Sequence, residues 1–230
     1  AQSRYLLLRV GLVDSLSRAL AAPLGTHLAG LAEEVSIRSG LTATHASALL
    51  TRQLDLLAGL DELDEMEGLE RHLLFTEPYV LILPRDTAVP AAVGEMARLA
   101  ATLPLVRYSA RSKTGIEIER HLRRLKLDLP RRLEFDTPLG VAATVAAGAG
   151  FAVTTPLCIH EAGLDVSAVT CAPFPGPAIA RSLTLVARRQ EWGRLPREVA
   201  AFCRAELDTR VWPALAAAMP WLPAHLVPED

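Results

Sequence analysis

Short apolar runs alternate along the chain with longer stretches in which apolar residues return every three or four positions. YLLLRVGLV, at Tyr5–Val13, is apolar at most positions, as in a strand covered on both faces. In DSLSRALAAPLGTHLAGLAEE, Leu16, Leu20, Leu24, Leu28 and Leu31 recur at helical spacing, and Asp14 or Ser15 is placed to cap the helix. Pro23 falls near an irregular first turn or bends the helix there. EVSIRSG reads as the second strand, a helix runs from about Thr44 to Leu54 with Thr42 or Thr44 as its cap, and LDLLAGL is the third strand. HLLFTEPYVLILPRD holds two short strands separated near Glu77 and Pro78, followed by helix Val93 to Ala101. Strand LPLVRYS, helix Thr114 to Leu125, strand RRLEFD, a short helix from Leu139 to Ala147 and strand Phe151 to Thr154 come next. Strand SLTLVARR and helix Pro196 to Val211 close the series. Strands alternating with helices predict doubly wound α/β sheets.

VAATVAAGAGFAVTTP, from Val141 to Pro156, is nearly free of polar side chains. Its apolar character ends at Val153, short of the roughly 20 residues that cross a bilayer. Gly148 and Gly150 form only G-x-G, without the third glycine or the strand entering the turn that a dinucleotide fingerprint needs. What remains is a short helix ended by the glycines and a strand apolar on both faces, as in a parallel ladder covered by helices.

Composition narrows the class. With 230 residues, half of them apolar and 22% charged, the chain forms one large α/β domain or two lobes of roughly 100 residues each. A formal net charge of -2 gives no footprint for nucleic acid or an anionic membrane. Cys158, Cys171 and Cys203 are odd in number and lack C-x-x-C spacing, so they read as buried or half-buried thiols of a reducing compartment, with no disulfide framework or zinc site. The acidic run from Asp61 to Glu70 has no calcium-loop order and reads as a solvated connection. The arginine-rich segment from Arg111 to Arg132 alternates with Ile116, Ile118, Leu122 and Leu125 without interleaved aromatics. That pattern suits a solvated or subunit-facing helix better than a nucleic-acid contact. The start, AQSRYLLLRVG, has neither an initiator Met nor a signal peptide's long apolar region, and reads as the beginning of a mature or excised domain.

Five segments in order, RVGLVDSLSRALAAPL, EVSIRSG, LLTRQLDLLAGL, LLFTEPYVLILP and TVAAGAGFAVTTP, resemble the effector-binding domain of the LysR-type transcriptional regulators over about residues 4–212. The resemblance implies an α/β fold of two doubly wound lobes of the type 2 periplasmic-binding-protein kind, with two interlobe crossovers. Lobe I would take residues 4–103 and 179–215, lobe II residues 104–178, and a small effector would sit in the cleft. It further implies a winged helix-turn-helix domain before residue 1, which no stretch here supplies and through which alone DNA would be contacted. A cytoplasmic homodimer is implied as well, with helix Leu16 to Leu31 of one subunit near helix Thr114 to Leu125 of the other, and a tetramer at full length.

In open parallel sheets the binding crevice lies beyond the carboxyl ends of the strands, where helix N-termini offer unpaired amides. Short hydroxyls gather there: Ser15 and Ser17 beside Asp14, Thr42 and Thr44, Ser109, Ser112 and Thr114, Thr137, and Thr154 and Thr155. The family resemblance carries effector contact onto Ser15, Thr42, Ser109 and Thr137, with Leu60 and Thr155 added, and Leu16, Leu60 and Pro138 as apolar neighbours. Such a site suits a carboxylate or other small anion, with Arg38, Arg107 or Arg111 as a charge partner. No metal or other cofactor is called for. Two rivals stay open: a solute-binding receptor of a transport system, and a dehydratase-like or hydrolytic enzyme. Against the enzyme, histidines 27, 45, 72, 121, 160 and 225 are scattered, and no G-x-S-x-G elbow accompanies Asp14 and Ser15.

Overall fold

A computed structural model describes residues 5–222 of the chain, so Arg4 and His225 lie outside the described residues. The described residues form two compact units, the first holding 5–76 and 182–214, the second 77–181 and 215–222.

In the first unit, strand β1 (Tyr5–Val13) leads through a 3-10 turn at Asp14–Leu16 into helix α1 (Ser17–Ala29). Strand β2 (Ala32–Gly40), helix α2 (Thr42–Leu50) and strand β3 (Leu56–Gly59) follow, and β4 (Leu69–Pro78) leaves the unit near its end. β1 pairs in parallel with both β2 and β3. Leu8, Val10 and Leu12 have no exposed surface, as the apolar run of β1 predicts. On α1, Leu20, Leu24 and Leu28 are equally enclosed. These leucines are committed to the core of their own unit and are not available to a partner subunit. Pro23 lies inside α1, well past its first turn, where its ring removes one backbone donor. His45 of α2 packs directly on β1: a Cβ on Gly11 would stand 2.9 Å from its Cγ, and its Nε2 lies 3.0 Å from the Leu12 carbonyl.

The second unit continues with β5 (Val80–Pro84), α3 (Val93–Thr102), β6 (Val106–Tyr108), α4 (Lys113–Arg124), β7 (Leu133–Phe135) and α5 (Pro138–Ala146). After β8 (Ala152–Thr154) come α6 (Pro156–Ala162) and β9 (Val169–Pro173), which, like the last of the described helices, the sequence pattern does not announce. β10 (Ala180–Arg188) returns the chain to the first unit, which α7 (Leu195–Glu206) completes, while α8 (Trp212–Ala218) runs past its end. The single helix expected over Pro196 to Val211 ends at Glu206 and widens into a π turn at Leu207–Val211. Pro213 lies just beyond and has no N–H for the preceding turn, a sufficient reason for the ladder to break there.

The sheet of the first unit has the order β2-β1-β3-β10-β4, with β10 antiparallel to β3. In the second unit β6 and β7 are parallel, β5 is antiparallel to β8 and β9, and the Leu105–Phe151 bridge joins the two pieces. The resulting order, β7-β6-β8-β5-β9, repeats the plan of the first: each unit receives one antiparallel strand from a distant part of the chain. This pairing moves the expected boundaries. The chain crosses at 76/77 and 181/182 in place of 103 and 178, and once more at 214/215. The reason is β5, which pairs along its whole length with β9, so residues 77–103 belong with the second unit. The ladder of β8 is accordingly mixed, not wholly parallel. Gly150 is required ahead of it, because a Cβ there would stand 2.6 Å from the Pro104 carbonyl oxygen.

Candidate functional site

In the first unit, the carboxyl ends of the parallel strands β1, β2 and β3 share one edge of the sheet. A Cβ on Gly59 would lie 3.3 Å from Val13 Cβ and 3.4 Å from the Thr42 hydroxyl, so the three exits converge. Ser15, Leu16, Thr42 and Leu60 are all buried at this edge. Thr42 Oγ1 has no hydrogen-bond partner among the described residues. A buried hydroxyl left in that state costs about 1–3 kcal/mol. Neither helix start here is capped by a side chain, since Leu16 precedes α1 and Leu41 precedes α2. The expected caps stand elsewhere: Asp14 and Ser15 belong to the 3-10 turn, and Thr42 and Thr44 already lie within α2, past the position from which an oxygen reaches the first amides.

In the second unit, Ser109, Thr137, Pro138 and Thr155 follow β6, β7 and β8, and the hydroxyls of Ser109, Thr137 and Thr155 are engaged. Ser112 accepts from Gly115 N at the start of α4, Thr137 from Gly140 N at α5, and Thr155 from Cys158 N at α6, at 3.3–3.4 Å. Ser109 donates to Asp136 at 2.5 Å, and Asp136 pairs with Arg111 at 3.1 Å. Pro138 is buried at the first position of α5. Of the three arginines considered as charge partners, Arg107 is buried against Glu119 and the Leu129 carbonyl, and Arg111 is held by Asp136. Arg38 instead lines a pocket of about 510 Å³ with Ser39, Thr44 and His45 in the first unit.

A buried polar cluster in the second unit escapes sequence reasoning. Arg181 and Glu77 form an enclosed ion pair at 2.8 Å. Arg181 also donates to the Thr114 hydroxyl at 2.8 Å, and Glu77 accepts from the Leu157 amide at 2.8 Å, so the pair ties the first turns of α4 and α6 to the two crossover strands. The Tyr108 hydroxyl lies 2.7 Å from that of Thr154, and Tyr79 donates to Glu117 at 2.6 Å. Burial pushes both phenols above their ordinary range. The amide of α6 that looked open to an anion is thus taken by the protein's own carboxylate. The one available signal was a charged residue inside each of two apolar strand runs, FTEPYVLIL and AIARSLTLV.

Cys158, Cys171 and Cys203 are free thiols. Burial pushes Cys171 up to about 11 and Cys203 up to about 12, which leaves little thiolate at neutral pH. Among the described residues no His, Cys, Asp and Glu cluster could hold a metal ion, and no helix is long and apolar enough to cross a membrane.

The profile of the LysR substrate binding domain matches residues 5–208. The chain belongs to this family. It is the small-molecule-sensing domain of a LysR-type regulator. Among solved structures, the reduced regulatory domain of OxyR2 from Vibrio vulnificus is 16% identical, with 90% of this chain and 98% of that chain covered at a TM-score of 0.71. The CcmR regulatory domain of Synechocystis PCC6803 in complex with 2-PG is 17% identical, with 89% and 98% covered and a TM-score of 0.71. The bromide ion-bound regulatory domain of HypT from Salmonella typhimurium is 14% identical, with 90% and 98% covered and a TM-score of 0.69. At these identities the likeness is one of fold, the two-lobed periplasmic-binding-protein-like architecture that the repeated strand order displays. No curated protein matches the chain.

Proposed function

We propose that the effector of this LysR-family domain is a small anion, of the carboxylate kind, whose charged group is received in the first unit at Thr42 and the first turn of α2. The observation that carries this reading is the buried, unpartnered Thr42 hydroxyl at the start of a helix with no side-chain cap. An anion there supplies the acceptor that the hydroxyl and the first amides lack, at the positive end of the helix dipole. Ser15 shares the edge, and Leu16 and Leu60 offer apolar surface to the carbon skeleton. Ser109, Thr137, Pro138 and Thr155 are the equivalent strand exits of the second unit: Ser109 already donates its O–H to Asp136, whereas Thr137 and Thr155 accept from helix amides and keep an O–H to donate. The bromide recorded on the HypT domain is an anion on the same fold. Burial raises the thiols of Cys171 and Cys203, which disfavours peroxide chemistry at those two positions.

A thermal-shift screen of metabolites, followed by calorimetry on Thr42→Val, tests the assignment. The variant is expected to gain up to about 1 kcal/mol of stability without ligand, because it loses an unsatisfied polar atom at nearly constant volume. It is expected to bind the best carboxylate at least about threefold more weakly, roughly 0.7 kcal/mol. Unchanged affinity, or a best ligand that is neutral or cationic, would remove the anion site.

The output of binding is a shift in the population of conformations, passed to DNA by a separate winged helix-turn-helix domain in the cytoplasm. We also infer a homodimer through α1 and α4, with a tetramer at full length. Ile116 is 37% exposed on α4, and the outer face of α1 presents small residues such as Ala22, Thr26 and Ala29. Sedimentation at micromolar concentration should show a dimer that Ile116→Asp dissociates; a monomer throughout contradicts the assignment.

A further inference from the structure

We propose that the second unit carries another small-molecule site, on the C-terminal half of α4, for a phosphate group in its protonated, singly charged form. Tyr79, Glu117, Arg120, His121, Arg124 and Ile179 line a pocket of about 190 Å³ there, room for a phosphoryl group and a few further atoms. It shares no residue with the proposed effector site, so either assignment can fail without the other.

Three observations select the ligand. Glu117, Arg120, His121 and Arg124 stand three or four positions apart, which brings them to one face of α4. Arg120 and Arg124 have no ion-pair partner among the described residues, whereas Arg107, Arg111 and Arg131 in the same unit are all matched with carboxylates. Two free guanidinium groups on one face form a fork for an oxyanion. The second observation is His121. Its side chain is buried, with 6% exposure, its ring packs edge-on against Phe174 at 5.1 Å, and Nε2 has no hydrogen-bond partner among the described residues. With the Pro177 carbonyl as the acceptor beside the ring, we assign the proton to Nδ1, which leaves Nε2 as an acceptor. Burial, together with the nearby charge of Arg124, pulls this imidazole below its ordinary value and keeps it neutral at pH 7. A buried lone pair of this kind calls for a donor, and a carboxylate, halide or sulfate brings none. A protonated phosphate brings both the charge for the arginines and an O–H for Nε2. Third, Glu117 is held by the Tyr79 hydroxyl at 2.6 Å in the same pocket. Two guanidinium groups and one carboxylate complement a single negative charge, which favours the monoanion over the dianion.

Calorimetry on the full chain near pH 6 with inorganic phosphate, glycerol phosphate and sulfate decides the matter, with the His121 ring followed by NMR. Phosphate or its monoester is expected to bind about tenfold more tightly than sulfate and to shift the His121 ring signals. Arg120→Gln/Arg124→Gln, which alters only exposed side chains, should lose about tenfold in affinity, while Thr42→Val should leave it unchanged. Tighter binding of glycerol phosphate than of inorganic phosphate would mark a monoester as the natural ligand, and the reverse would mark free phosphate; both uphold the site. Sulfate binding as tightly as phosphate, indifference to the arginine substitutions, or no binding of either phosphate at millimolar concentration would overturn it.

Discussion

Arg181→Met is expected to lower the stability of the domain by about 3–5 kcal/mol, because it strands the Glu77 carboxylate in an interior from which it has no exit. The side chains of the pair are 1% and 0% exposed. Removing the guanidinium also leaves the Thr114 hydroxyl without its donor. Among the described residues Glu77 retains the Leu157 amide alone, one hydrogen bond against the desolvation of a full charge. The paired replacement, Glu77→Gln with Arg181→Met, removes both charges while keeping an oxygen that can accept from Leu157. It should recover much of the loss, since a buried ion pair exchanged as a unit is often nearly neutral. Urea denaturation of the two singles and the double completes the cycle. A loss below about 1 kcal/mol for Arg181→Met would mean that water reaches Glu77 and that the pair does not tie the crossover strands together.

The second large effect is expected at Gly115, in the first turn of α4, where alanine should destabilise by about 2 kcal/mol or more. Elsewhere in a helix this exchange gains up to about 1 kcal/mol from backbone entropy, so the sign is diagnostic. A Cβ at Gly115 would stand 2.3 Å from the Ser109 carbonyl oxygen and 2.8 Å from that of Tyr108. Both are backbone atoms at the end of β6, and neither can swing aside as a side-chain tip would. Relief requires α4 to lift from the strand, which would disturb both Thr114 against Arg181 and the Ser109 turn. Gly94→Ala in α3 is the matched control, because nothing lies within 4 Å of its added Cβ and a small gain is expected. Equal gains at both positions in thermal melts would refute the close approach of α4 to β6.

The apolar grammar of the chain determined the elements whose signal is local. The run of β1 and the Leu20, Leu24 and Leu28 stripe of α1 needed nothing beyond their own neighbours in sequence, and both are buried as the pattern requires. The order of five such segments also determined the family, and with it the two-lobed fold. Thr155 before Pro156 has the form of a helix start, a hydroxyl cap followed by proline, yet α6 spans only seven residues and carries no periodic signal of its own. β9 is five residues long and ends in proline, too little for a periodic signal. What tertiary structure alone decided is everything set by pairing at long range. The VLIL run could have joined either lobe, and its ladder with β9 put it in the second unit. Glu77 meets Arg181 across 104 positions, and that meeting turned an apparently open helix start into one closed by its own carboxylate. The hydroxyls of Thr42 and Thr155 look alike in sequence, both short side chains after a strand. One caps a helix and the other is left without a partner, because a shift of a single residue in where the helix begins decides whether the oxygen reaches the first amides. Periodicity records which face of an element is buried; hydrogen-bond satisfaction depends on which other elements arrive there, and that information is distributed over the whole chain.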